Sequence, residues 1–294
     1  VALKLASEPS AQAEAQMRHE ALLGARLSHP AIVPIYELGY AEGGAMFVAM
    51  RLVRGAPLEK VAGASLADRL GLLSHLVDAA DALAHAHDRG IVHRDVTPAN
   101  IMIDRFGDTQ LIDWGLGKQL PAQLARGADL NPKAERAGMV VGTAPFMSPE
   151  QARGEAVDEL SDVYSLGAVL YWLLAGRAPY EGTLFSIVEA VREREPPRLT
   201  TLGTFPTPLV SIVERAMARR PRDRYASARA LANDLRAYQS DQVMAAWRAP
   251  VWRRFFNLVR RHRVTVSAVA VAMAILLAVG AFATQRVISA NHQA

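Results

Sequence analysis

Short strand-like runs and longer helical spacings follow one another along this chain in a definite order. Residues 1–5 and 45–53 are apolar, β-prone stretches that predict strands, and residues 11–27 between them carry apolar positions at helical spacing. Residues 66–89 predict one long helix by the same criterion. Two short apolar runs, 101–104 and 109–112, flank a Phe106-Gly107-Asp108 turn and predict a hairpin. From residue 158 to 236 the pattern is mainly helical, interrupted by loops at Pro196-Pro197 and between Pro206 and Pro208. Strands early and helices late predict an α+β protein, a small sheet lobe on a larger helical lobe. The chain shows no internal repeat.

The pattern changes again near the C-terminus. Residues 264–285 contain no charged side chain, and about 20 apolar residues suffice to cross a hydrocarbon core as a helix. A transmembrane helix is therefore expected there. Arg253, Arg254, Arg260, Arg261 and Arg263 precede it with Trp252, Phe255 and Phe256, whereas only Arg286 follows. That asymmetry places residues 1–263 on the cytoplasmic side of a cell membrane. Residues 241–263 read as a basic juxtamembrane linker and 286–294 as a short tail. Ala270, Ala274 and Ala278 repeat at four-residue spacing, which would let two such helices pack as a homodimer; an alanine-rich chain also produces this spacing by chance.

Composition narrows the choices. The 294 residues are 51% hydrophobic, ample for a core, and include no cysteine, so disulfides, thiolate metal sites and cysteine nucleophiles are excluded. The formal charge of +4 is concentrated before the apolar run, which argues against a nucleic-acid partner. The chain opens at Val1 without a signal-peptide pattern.

The densest chemistry lies in His93-Arg94-Asp95-Val96-Thr97-Pro98-Ala99-Asn100 and the following Asp113-Trp114-Gly115. Asp95, Asn100 and Asp113 are spaced for phosphoryl transfer from a magnesium nucleotide to a hydroxyl. One carboxylate must orient the hydroxyl and take its proton, and hard oxygen ligands must hold the metal. His85 and His87 stand two apart on a predicted helix, so they face different ways and suit no shared ion; both are expected on a bland helix surface.

The loop and the Asp-Trp-Gly segment resemble those of eukaryotic-type protein kinases, specifically the bacterial Ser/Thr kinases, and further motifs extend the resemblance over residues 1 to about 240. It implies a bilobal kinase fold with a partial N-lobe (1–53) and a C-lobe (54–240), using ATP and Mg²⁺ on a protein substrate. Val1-Ala2-Leu3-Lys4 is similar to the strand whose lysine meets the nucleotide phosphates, and Glu20 to that lysine's partner. By the same resemblance Asp95 is the catalytic base and Asn100 and Asp113 hold Mg²⁺. Ala2 and Met102 sandwich the adenine ring, Met50 lies at the back of the pocket, and Arg51 to Val53 form the hinge. Residues 142–150 match the end of an activation segment, whose Glu150 is expected to pair with Arg224. Asp162 is expected to brace the catalytic-loop backbone, and Trp114 to pack under the helix bearing Glu20.

Three departures stand out. The glycine-rich loop of the family is expected before Val1, as though the sequence began within a lobe. Thr97 replaces the lysine that neutralises charge on the transferred phosphate, so a catalytic position keeps a neutral donor only. No Ser, Thr or Tyr lies between Trp114 and Gly142; control is expected through the membrane helix or an acidic surrogate such as Asp129 or Glu135. The reading is a membrane-anchored Ser/Thr kinase, and the rival is a membrane-anchored pseudokinase that binds nucleotide or serves as a scaffold.

Overall fold

A computed structural model describes residues 1–5, 10–42, 44–119 and 143–240. The linker, membrane-helix and tail assignments at 241–294, together with Asp129 and Glu135, lie outside the described residues. Among the described residues no helix is long and apolar enough to cross a membrane.

The first lobe is a three-stranded antiparallel sheet with one helix against it. Strand β1 (Ala2–Leu5) pairs with β3 (Met46–Met50), and β3 with β2 (Ile35–Tyr40), in the order β1-β3-β2. Helix α1 (Ala11–Ala25) begins at Ser10, whose hydroxyl accepts the Ala13 N–H at 3.2 Å and satisfies one otherwise orphaned donor. Met17 and Ala21 of α1 bury against Met46 and Val48, which are two apart and so share one face of β3. The strand expected over 45–53 stops at Met50. Arg51 N–H turns away to donate to Pro34 O at 3.1 Å, and residues 51–54 cross to β4 (Gly55–Pro57) as an irregular hinge.

Beyond the hinge come α2 (Leu58–Val61), α3 (Leu66–Leu70), α4 (Leu73–His87), β5 (Ile91–Val92), the hairpin β6 (Ile101–Asp104) and β7 (Thr109–Leu111), and β8 (Lys118–Gln119). The expected hairpin is present, with β4 added to its free edge. The single helix expected over 66–89 is two. Ser65 and Asp68 close a capping box at the start of α3, which ends at Gly71. The cause of the break is tertiary. Arg69 donates from Nε to Leu173 O at 2.7 Å and from Nη2 to Leu174 O at 3.2 Å, holding α3 on carbonyls at the end of another helix.

That helix is α6 (Glu159–Ala175), which follows the short α5 (Pro149–Ala152). It is apolar nearly all round and buried on nearly every side, so it forms the axis of the helical lobe. Next come α7 (Leu184–Glu193), α8 (Leu199–Leu202), α9 (Thr207–Ala216) and α10 (Ala228–Gln239), the last lying along α4. Leu166, Leu170, Leu173, Leu209, Ile212 and Leu231 are fully buried in this core, each contributing about 1.5–3 kcal/mol by removal from water. The loop between α1 and β2 ties the lobes together: Leu111 N–H donates to Ala31 O at 2.8 Å and the Gln110 amide to Pro30 O at 2.7 Å.

The expected pair of Glu150 and Arg224 is present inside the helical lobe. Arg224 Nη1 and Nη2 donate to the two Glu150 oxygens at 2.6 and 2.8 Å, a bidentate arrangement, and Ser161 Oγ adds a third bond at 2.8 Å. Burial pushes the Glu150 carboxyl up, but hydrogen bonding and charge from Arg224 outweigh it and hold the group below the usual glutamate value. A carboxyl held low stabilises the fold above its unfolded value and loses that contribution as pH falls through its folded one. Arg224→Ala is expected to destabilise by about 3–5 kcal/mol at pH 7, since it strands a buried charge. The gap from the parent should then narrow as pH falls toward about 4.5, where Glu150 takes up a proton more easily in the variant. Urea unfolding of both proteins across this pH range measures it.

Candidate active site

Two clusters of the residues singled out in the sequence meet at the junction of the lobes. The first is built from β1 and α1. Lys4 Nζ donates to Glu20 Oε1 at 2.8 Å and to Oε2 at 2.7 Å, and lies 3.9 Å from Asp113 Oδ1. Glu20 is buried, while the Lys4 and Asp113 side chains are 43% and 48% exposed and remain open to a ligand. Asp113 has φ +63°, a left-handed backbone that non-glycine residues adopt only when their surroundings enforce it. Gly115 lies against this group: a Cβ there would stand 3.1 Å from both Asp113 Oδ1 and Glu20 Oε2. Glycine at this position lets the backbone pass beside two carboxylates.

The second cluster is the loop between β5 and β6. Asn100 Nδ2 donates to Asp95 O at 2.8 Å and to Asp95 Oδ2 at 3.0 Å, and Thr143 N–H donates to Asp95 Oδ1 at 2.8 Å. Both Asp95 oxygens are thereby fixed in direction, and each keeps a lone pair for an incoming hydroxyl. With its nitrogen engaged, Asn100 presents Oδ1 as its available ligand atom. Thr97 is 3% exposed, and its Oγ1 accepts Asn100 N–H at 3.3 Å, so the hydroxyl closes the turn from inside. Asn100 O accepts Ile112 N–H at 3.0 Å, which couples this loop to the residue before Asp113.

A buried carboxylate holds the loop from behind. Asp162 of α6 accepts His93 N–H and Arg94 N–H, each at 2.8 Å, as the sequence led us to expect. Arg94 has φ +70°, and Gln151 Nε2 donates to its carbonyl at 2.7 Å. The His93 ring is fixed as well. Its Nδ1 accepts Asp95 N–H at 3.2 Å, so the proton sits on Nε2, which donates to Ile112 O at 3.1 Å. Trp114 is buried in the cluster that contains Leu23 of α1, its ring 4.6 Å from that of His93.

The histidines of α4 correct one expectation. His85 and His87 do face different ways, but neither lies on a bland surface. His87 Nε2 donates to Asp162 Oδ2 at 2.8 Å with its side chain 8% exposed, and the His85 ring packs against His29 at 5.2 Å with its Nε2 buried. Helical spacing shows only that the two differ in direction; which neighbours await them is decided by α6 and the α1–β2 loop. His19 of α1 also went unnoticed in the sequence. Its Nε2 donates to Gly117 O at 2.8 Å, tying the helix to the segment after Asp113.

The remaining candidates lie on the strands to either side of the hinge and in the hinge itself. Ala2 is paired with Met50 across β1 and β3, and Met102 sits on β6 opposite Pro57, just past the hinge. Arg51 N–H is taken by Pro34, which leaves the Arg51 carbonyl and the Val53 backbone as the hinge groups for a ring. The donor set suits a magnesium nucleotide. Asn100 Oδ1 and the Asp113 carboxylate are hard oxygen ligands, and magnesium is commonly held by one or two protein groups plus the substrate's own phosphates. Among the described residues no cluster of three or more His, Asp or Glu offers a self-sufficient metal cage. Asn100 and Asp113 would hold Mg²⁺, and Lys4 would meet the phosphates. When bound, the magnesium nucleotide supplies the transferable phosphoryl group and neutralises charge on it.

An ordered carboxylate for a hydroxyl, paired oxygen ligands for a metal and a lysine clamped by a glutamate, set on two lobes across a hinge, make up the architecture of a kinase. The chain belongs to the protein kinase domain family, which matches residues 1–235. It is 38% identical over 227 residues to the serine/threonine-protein kinase PknB of Mycolicibacterium smegmatis, covering 75% of this chain and 35% of the relative. It is 36% identical over 228 residues to PknB of Mycobacterium tuberculosis, covering 75% and 35%. To the serine/threonine-protein kinase pkn3 of Myxococcus xanthus it is 33% identical over 237 residues, covering 78% and 42%. The matched region thus spans between about a third and two fifths of these relatives' length.

Burial pushes the Asp162 carboxyl up, yet the hydrogen bond and charge of His87, with His93 and its N–H, hold it below the usual aspartate value. His87→Ala is expected to weaken the fold by about 1.5–3 kcal/mol at pH 7, the range for a hydrogen bond to a charged group. Asp162 then titrates at a higher pH than in the parent, so the variant has less Asp162-linked stability to lose and the gap between the two proteins narrows as pH falls. Thermal unfolding from pH 7 to pH 4 reads both effects.

Proposed function

We propose that this chain is the catalytic part of a Ser/Thr protein kinase, transferring the ATP γ-phosphate to protein hydroxyls in membrane-linked signalling. The observation that carries the reading is the simultaneous presence of two assembled halves. Lys4 is closed on Glu20 with Asp113 beside it, and Asp95 is oriented by Asn100 and Thr143. The names of the relatives support Ser/Thr specificity. In this reading Asp95 orients the acceptor hydroxyl and takes its proton as the new phosphorus–oxygen bond forms, while the bond from the γ-phosphorus to the bridging oxygen breaks and ADP leaves.

A second reading, a pseudokinase, draws on Thr97. The buried hydroxyl accepts from Asn100, so no cation stands where the family carries a lysine. One preorganised donor of this kind is worth roughly 10²–10³ in rate, which slows a kinase without disabling it. Anchoring by residues 264–285, with the catalytic part cytoplasmic and a homodimer through the small-residue face, rests on the sequence pattern alone.

In the full-length protein, ATP-dependent autophosphorylation is expected in the parent and absent in Asp95→Asn; equal signals in the two would favour the scaffold. Thr97→Lys is expected to raise the rate. The chain should float with liposomes in a density gradient and stop doing so when residues 264–285 are deleted. Flotation unaffected by the deletion would refute the anchor.

A further inference from the structure

His75, Asp78 and His85 recur at helical spacing along α4 and meet the segments that join the two lobes. His75 contacts Thr109 of the β6–β7 hairpin, and the His85 ring rests against His29 of the loop between α1 and β2. That loop holds the hairpin through its Ala31 and Pro30 carbonyls. The histidines at this joint differ in where their protons sit. The Thr109 hydroxyl donates to Asp78 Oδ2 at 2.7 Å, so it accepts from His75 Nδ1 at 2.9 Å, and a second proton on His75 breaks neither bond.

His29 and His85 are the reverse case. His29 Nδ1 accepts Ala31 N–H at 3.1 Å, and His85 Nδ1 accepts from Arg89 Nη1, a permanent cation, at 3.2 Å. Each neutral ring therefore carries its proton on Nε2, and a second proton on Nδ1 would face another donor. The ring centroids lie 5.2 Å apart, so charge on one ring also opposes charge on the other.

The neighbours decide which ring gives way. Burial comes first in holding both below the ordinary histidine value. At His85, Arg89 and Arg229 of α10 add to it, while Asp88, bound to Arg229, opposes it. His29 faces Asp81 and Asp78 of α4, which favour its charged form; Asp81 is shared with Arg236 of α10 and Asp78 with Thr109. The hairpin brings the neutral Gln110 to the loop. His85 is thus the fixed seat, and His29 is the ring that takes up a proton.

We infer that His29 is a proton-sensitive latch on the joint between the lobes: neutral, it holds the Ala31 N–H while its ring rests on His85, and protonation releases the loop together with its grip on the β6–β7 hairpin. The released ring titrates at the ordinary value of 6.5 and the seated ring below it. The latch is therefore complete above that pH and loosens as pH falls through it. An effect on turnover rests on the kinase reading; the latch itself does not.

The test uses the full-length protein and the amide exchange of Ala31 and Leu111, corrected for the intrinsic rate at each pH. In the parent, protection should fall by up to about tenfold per pH unit below 6.5, the slope for one proton taken up on opening. His29→Asn cannot titrate, and its side-chain oxygen can accept the N–H two residues on. Its protection should match the parent's at about pH 7.5 and stay level down to about pH 5. His75→Gln should follow the parent. A flat parent, or a parent slope that persists in His29→Asn, would overturn the inference. If His29→Asn is already unprotected at neutral pH, proton NMR of the parent decides: the His29 ring and the Ala31 amide must shift with one midpoint below 6.5, and separate midpoints would sink the latch. On acidification, kcat for autophosphorylation should fall severalfold further in the parent than in His29→Asn. A parent without Asp95-dependent phosphorylation would overturn the kinase reading instead, leaving exchange to judge the latch.

Discussion

The catalytic loop depends on one buried carboxylate. Asp162 has no exposed surface, and it stays in the lobe because three donors meet it: two backbone N–H groups of the loop and the imidazole of His87. An isolated ionised carboxylate in such a place would be prohibitively unfavourable, and the two loop N–H groups would be buried orphans without it. The need is mutual, so each side fixes the other. Arg94 can then keep a left-handed backbone, and the His93 ring is left with a single consistent tautomer. Asp95 is the next residue along, so its backbone is placed beside a contact it does not make, while Asn100 and Thr143 orient its oxygens.

The other half of the site is held by a different kind of constraint. Lys4 and Glu20 form an ion pair that is partly open to water, and such pairs contribute little by themselves. Their alignment comes from packing beneath them. Met17, Ala21 and Leu23 bury one face of α1, Gly24 lets Ile35 in, and His19 ties the helix to Gly117. The loop after α1 then binds the β6–β7 hairpin through Ala31 and Pro30, which joins the two halves through backbone carbonyls and one glutamine.

Much of this was legible beforehand because it rests on local signals. The hairpin at 101–111 announced itself by two short apolar runs about a glycine turn, and the reaction by carboxylates and amides at fixed spacing. The Glu150–Arg224 pair and the Asp162 brace were available only through family resemblance, because their partners are 74 and 68–69 residues apart. His19, His87 and Gly24 carried no signal at all. A histidine at helical spacing looks the same whether it meets water or a buried aspartate, and a glycine near a helix end looks like a cap. The break in the helix at Gly71 was hidden for a related reason, since Arg69 is held there by carbonyls of a helix a hundred residues away.

The sequence by itself determined the lobe order, the chemistry of the reacting groups and the uncharged run at 264–285, because periodicity, composition and short-range spacing are properties of the chain alone. Tertiary structure alone decided which oxygen of Asp95 meets which donor, that Thr97 faces inward, where the long helix divides and why α1 carries a glycine. Each of these turns on distances of a few ångströms between segments far apart in the chain, and such distances exist only once the core has closed around Asp162.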